Sequence, residues 1–279
     1  MYSIRHIRRI GFSIAIFLFV IVAAGCSSVK ETTSNWRTNE IKIDGDISDW
    51  QNTLESVPDK NFAVGFKNDD KFLYISLITN DRMKIMQMFR TGFITWFTPT
   101  VGSGKIFGIK FPISNKEMEG EQPQEMNREN FQRDNGDNME KRFAKLLSQQ
   151  QELEIVNKDK FPMNLLSLEN KEGIRAKLGY YANHLVYELQ VPLASSGNYS
   201  FPVDVAPGEK VNIRFETEKI DLESSRGSMR EGESMPRGGG QMRGGGQRGG
   251  GRMRQGMPGF QNSEPINYSF DVVLQQPPK

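Results

Sequence analysis

The chain has 279 residues, with 36 lysines and arginines against 34 aspartates and glutamates, two histidines and one cysteine. A single thiol excludes a disulfide framework and a cysteine zinc cage, and two histidines leave little material for a serine or cysteine triad or a histidine-rich metal centre. A hydrophobic share of 37% over this length suffices for one substantial apolar core.

Residues 1–25 have the order of a secretory leader: Arg5, Arg8 and Arg9, the apolar run "IGFSIAIFLFVIV", then small residues up to Cys26. The apolar run is shorter than the roughly 20 residues that a membrane-spanning helix needs. Val22-Ala23-Ala24-Gly25-Cys26 resembles the lipobox of bacterial lipoproteins. That resemblance implies cleavage before Cys26, acylation of its thiol and a membrane partner held through lipid. Ser27 in place of an aspartate points to the outer membrane of a bacterial envelope. Loss of the leader removes three arginines and His6, so the remaining chain is nearly neutral and His184 stands alone. Residues 26–37 are read as an anchor linker and 38–279 as the folded domain.

In "IKIDGDISDW", at 41–50, an apolar strand runs into Asp44, Gly45, Asp46, Asp49 and Trp50. Three readings compete. Gly45 permits a turn, short aspartates bond nearby amides, and Trp50 plugs an edge of the fold. Alternatively Asp44, Asp46 and Asp49 supply oxygens to a calcium ion, or two of them form an acid and base pair. No other cofactor is implied. Next, "FAVGFKNDDKFLYISLIT" predicts a hairpin turning at Asn68-Asp69-Asp70. A short helix follows in "NDRMKIMQMFRTG", capped by Asp81 and stopped at Gly92, with Met83, Met86 and Phe89 on one side as core or as a sticky surface.

In "FITWFTP", Phe93, Thr95 and Phe97 share one side while Ile94 and Trp96 share the other, so Trp96 either offers a flat face to a sugar ring or is buried under the methionine-rich helix. Phe107, Ile109, Phe111 and Ile113 alternate in the next strand. Residues 115–140 are acidic and polar and read as a disordered insertion. "DNMEKRFAKLLSQQQ" reads as a helix, with Asp137 and Glu140 as a capping box and Met139, Phe143, Leu146 and Leu147 on one side. His184 falls in a hairpin turn, and Leu185, Tyr187, Leu189 and Val191 line one face of the following strand.

Val211, Ile213 and Phe215 alternate with Asn212, Arg214 and Glu216, and Ile266, Tyr268, Phe270, Val272 and Leu274 line the last strand. Glu188 and Arg214, on the polar sides of their strands, are candidate ligand contacts or a surface ion pair. Between them and the last strand, 226–259 holds thirteen glycines and seven arginines and reads as a second disordered insertion. It has no aromatic residue for base stacking, so nucleic acid is not an expected partner. The period-two pattern predicts an all-β fold, an antiparallel two-sheet jelly-roll-like β-sandwich with one or two short helices.

Ile43, Asp44, Gly45, Asp49, Trp50, Leu73, Tyr74, Asp81, Tyr187, Glu188, Val191 and Pro192 together resemble the family 9 carbohydrate-binding module and its DOMON-like relatives. The resemblance covers roughly 38–114 and 172–274. It implies a jelly-roll-like sandwich and, in some members, calcium and sugar binding. Thr98 before Pro99 departs from the Asp-Pro common in that family. Two functions are expected from this reading, neither of them an enzyme: an envelope module binding a glycan or other small ligand, or an assembly protein whose loops engage other envelope proteins.

Overall fold

The computed structural model describes residues 29–57, 61–100, 106–114, 136–157, 164–194, 199–218 and 264–279. The leader, Cys26, most of the acidic insertion and the glycine-arginine insertion lie outside them. In chain order the strands are β1 (Lys30–Thr33), β2 (Asn35–Trp36), β3 (Glu55–Val57), β4 (Phe62–Asn68), β5 (Phe72–Thr79), β6 (Ile94–Pro99) and β7 (Phe107–Lys110). They continue as β8 (Glu152–Asn157), β9 (Asn164–Ser167), β10 (Arg175–Tyr181), β11 (His184–Pro192), β12 (Lys210–Glu216) and β13 (Asn267–Val273). Two helices, α1 (Arg82–Thr91) and α2 (Gly136–Ser148), complete the fold. Among the described residues no helix is long and apolar enough to cross a membrane.

One sheet has seven strands in the order β1-β13-β12-β6-β7-β8-β9, and the other has six, β10-β11-β5-β4-β2 with β3 also on β4. The alternating residues named from sequence meet between them. Val211, Ile213 and Phe215 of β12 and Phe270 and Val272 of β13 share one cluster with Leu73, Ile75 and Leu77 of β5 and Leu185, Tyr187, Leu189 and Val191 of β11. Phe66 reaches across to Phe270, with ring centroids 5.6 Å apart. The expected all-β sandwich is therefore present.

Both expected helices form, but α2 begins at Gly136, so Asp137 lies within the helix rather than capping it, and 136–140 of the insertion read as disordered are helical. The Asp81 carboxylate accepts from the Met83 and Lys84 amides, satisfying donors that a first helical turn leaves free, and Gly92 at φ 81° ends the helix. Of the stripe, Met86 and Phe89 are buried in the core beside Ile85 and Met88, so it packs inward there, while Met83 in the first turn is half-buried. In α2, Phe143 and Leu146 are buried, and Phe143 stacks 4.3 Å from Tyr180 at the β10 edge.

Two expectations need correction. The sheets are not wholly antiparallel, because β1 runs parallel to β13 and β2 parallel to β4. Both exceptions lie within 26–37, the segment read as a linker. Residues 30–36 form short strands that staple the two sheets together at one edge, and the Ser34 amide donates to the Val273 carbonyl at 3.0 Å between them. "KETTSNW" lacks apolar alternation because its stability comes from backbone pairing rather than from a buried side-chain face.

The registers give the sandwich two distinct ends. Glu216, Ile94, Phe62, Thr79 and the Tyr181–His184 hairpin tip lie at one end, which α1 spans between β5 and β6, while Lys30 joins β13 at its middle, opposite Phe270. The β4–β5 turn and the turn before Lys210 lie at the other.

Candidate functional site

Glu188 sits on β11 facing away from the core, and yet it is fully buried. Segment 41–54 lies over it. One carboxylate oxygen accepts from the Asp44 amide at 3.0 Å and the Gly45 amide at 2.6 Å, and the other accepts from the Trp50 indole N–H at 2.6 Å. Burial pushes this carboxyl up to about 7, against the pull of the three donors, and the nearby Asp44 charge adds to the rise. The backbone itself must come close for this to happen. Gly45 adopts φ 84°, and a Cβ on Gly179 of β10 would overlap the Gly45 carbonyl. Trp50 lies over Gly65 of β4, where a Cβ would stand 3.0 Å from its ring. Ile41 and Tyr74 pack beside it, and the Lys67 ammonium stands 5.3 Å from the indole.

The three aspartates of this segment serve the backbone. Asp44 accepts from the Asp46 amide, Asp46 from the Ser48 amide and Asp49 from the Lys42 amide, at 2.9, 2.7 and 2.8 Å. The first two are Asx turns, and the third ties the end of the loop back to its start. Among the described residues no group of three or more histidine, cysteine, aspartate or glutamate side chains converges on a common point. The three carboxylates thus make the local backbone bonds that the structural reading expects. His184 is exposed, at the start of β11 after a turn with Ala182 at φ 48° and Asn183 at φ 64°.

Of the three expected ligand contacts, Trp96 and Arg214 come together and Glu188 does not. Arg214 pairs across β12 and β6 with Trp96, its guanidinium 5.7 Å from the indole centroid, and its Nη2 lies 3.0 Å from Glu216. These residues occupy the outer face of the seven-stranded sheet, opposite the outer face that carries Glu188. Trp96 lies flat over Gly108 of β7, where a Cβ would stand 2.9 Å from the ring, and it is 7% exposed. It lies neither under the methionine helix nor open as a platform.

A more open aromatic strip lies on the outer face of the six-stranded sheet, at the end away from α1. Arg175, Gln190, Tyr74 and Lys67 stand in one row across β10, β11, β5 and β4. Phe72, next along that face, has its ring 5.9 Å from Tyr199 and 6.3 Å from Tyr74. Arg37 lies 5.5 Å from the Tyr74 centroid, held by Asp69 at 2.9 Å, and Asp69 also accepts from the Tyr74 hydroxyl at 3.0 Å. Gly173 at φ 70° admits Tyr199, since a Cβ there would stand 2.9 Å from that ring. Phe72 and Tyr199 are half-buried and Arg175 is exposed. Sequence reasoning missed this strip because its members come from four distant segments. The lone glycines inside strands, Gly65, Gly108 and Gly179, were legible signs that something lies close above the sheet.

No family model matches the chain, and no curated protein is significantly similar to it. Among solved structures it is similar to a carbohydrate binding module family 9 from Caldicellulosiruptor kristjanssonii in complex with glucose, at 13% identity and TM-score 0.34, over 70% of this chain and 81% of that one. The cellotriose complex of a module from the same organism gives 10% identity and TM-score 0.35, over 70% and 80%. A protein from Bacteroides uniformis ATCC 8492 gives 8% identity and TM-score 0.37, over 70% and 87%. The first two belong to the family that the motif residues resemble.

Proposed function

We propose that this chain is a lipid-anchored, non-catalytic module of the bacterial envelope that binds a glycan on the outer face of its six-stranded sheet. One observation carries the choice of face. Phe72 and Tyr199 present partly exposed rings beside Arg175 and Gln190, an arrangement of apolar faces with a few planar polar groups that suits a sugar ring. Glu188 and the three aspartates of the 41–54 segment hold that segment in place. Anchoring rests on the lipobox-like residues before Cys26.

Calorimetric titration of the purified chain with neutral and acidic oligosaccharides tests the reading. Saturable binding is expected, weakened at least about tenfold in Tyr199→Ala and Arg175→Ala, which corresponds to about 1.4 kcal/mol each. Trp96→Ala should keep it. Binding lost in Trp96→Ala but kept in Tyr199→Ala would move the site to the other face, and no binding to any sugar would end the glycan reading. In cell fractionation, Cys26→Ser should leave the membrane fraction, because acyl chains supply the hold on the bilayer.

A further inference from the structure

We infer that the sugar taken by the six-stranded face is acidic, its carboxylate or sulfate gripped by the Arg175 guanidinium while its ring lies on Tyr199 and Phe72. The inference deepens the glycan reading and rests on it. Two guanidiniums flank Tyr74. Arg37 stands 5.5 Å from its ring centroid on the β2 side, and Arg175 lies on the other side, across Gln190 in the same row of the sheet. They differ in what holds them. Arg37 is spent on Asp69 at 2.9 Å, whereas Arg175 is exposed and pairs with no acid among the described residues.

The acids of the strip are already taken. Asp69 also accepts from the Tyr74 hydroxyl at 3.0 Å, and Glu172 accepts from the Ser200 amide at 2.6 Å, next to Tyr199. On the opposite face the corresponding cation is not left over, because Arg214 has Glu216 at 3.0 Å. A guanidinium without a partner offers a planar fork of donors that fits a carboxylate or a sulfate two bonds at a time.

The aromatic shelf is built on the same stretch of chain. Gly173, with Tyr199 against it, precedes Arg175 by two residues, so their Cα atoms stand at most about 7 Å apart. That is the reach of one sugar ring and its acidic substituent. Gln190, opposite Arg175 on β11, donates its Nε2 to the Gly173 carbonyl at 3.0 Å, which leaves its Oε1 to accept from a ring hydroxyl. A neutral sugar would use the shelf and the amide alone. An acidic one uses the fork as well.

The test is calorimetric titration of the full chain with uronate trimers of the galacto, manno and gluco series and with their methyl esters, which keep each ring and remove its charge. Sulfated forms of the matching neutral trimers make a third arm. At least one acidic form should bind at least about tenfold tighter than its uncharged counterpart, and which one does so tells carboxylate from sulfate. The preference should vanish in Arg175→Ala. It should survive in Tyr199→Ala, which weakens charged and uncharged forms alike, and in Lys145→Ala, which removes the same charge from the exposed side of α2. Unchanged melting midpoints would show that the variants are folded. Equal binding of charged and uncharged forms, a preference that survives Arg175→Ala, or one that is lost in Lys145→Ala overturns the inference and leaves the glycan reading standing. Failure of every sugar to bind ends the glycan reading, and the inference falls with it.

Discussion

The two outer faces of this sandwich solve one problem in two ways. Each carries a tryptophan laid flat over a strand glycine with a cation near the ring: Trp50 over Gly65 with Lys67 at 5.3 Å, and Trp96 over Gly108 with Arg214 at 5.7 Å. Trp96 belongs to the strand it covers beside, so the sheet brings it there. Trp50 belongs to a segment outside the sheet, and Glu188 must hold it by the indole N–H and two backbone amides. A side chain carried by a strand needs only room, whereas a segment laid on a strand needs a buried acceptor. The difference teaches where the sandwich is vulnerable.

The largest effect should come from the tryptophans themselves. Trp50→Ala should destabilise the domain by about 3–5 kcal/mol, as removal of a fully buried aromatic does. Trp96→Ala should cost less by about 0.5–1.5 kcal/mol, the net worth of the hydrogen bond that the Trp50 indole makes to Glu188. Denaturant unfolding of both variants measures the gap. Equal costs would mean that the fastening adds nothing.

A smaller contrast separates the glycines. In Gly179→Ala the new methyl meets backbone, the Gly45 carbonyl, and the 41–54 segment must lift, at about 2 kcal/mol. In Gly108→Ala the neighbours are the Ile94 and Trp96 side chains, which can turn aside, so the loss should be about half as large. Thermal melts of the pair would show it, and a costlier Gly108→Ala would reverse the comparison.

The smallest effect is a pH dependence confined to one face. Burial raises the Glu188 carboxyl to about 7 from the ordinary glutamate range, so the folded state holds the proton more tightly than the unfolded chain does. The associated stability is fully present below about pH 4.5 and is lost as pH rises through about 7. The melting midpoint should thus rise by about 5 °C between pH 8 and pH 5, a shift that Glu188→Gln flattens and Trp96→Ala leaves intact.

Legibility in the sequence followed the range of the interaction. The β10–β11 hairpin, the Asp81 cap and the alternating faces of β11, β12 and β13 depend on neighbours within a few residues, and all were readable. The motif pairing Asp44, Gly45 and Trp50 with Glu188 was visible as a family resemblance. Its physical content was hidden, because the carboxylate and its donors stand up to 144 positions apart. Strands β1 and β2 were invisible for a different reason. They bury little, so no side-chain pattern marks them, and parallel pairing to distant strands leaves no turn to read. The open aromatic strip failed for both reasons at once, with Arg37, Tyr74, Arg175 and Tyr199 each unremarkable in its own stretch.

The β1 strand also sets a timetable. The first segment of the domain bonds to the last, Ser34 to Val273, 239 positions later in the chain. Its ladder cannot close until β13 has been made, so β1 waits as unpaired chain while everything between is synthesised. Closing so long a loop slows folding more than it weakens the finished sheet, because loop entropy grows only logarithmically with length.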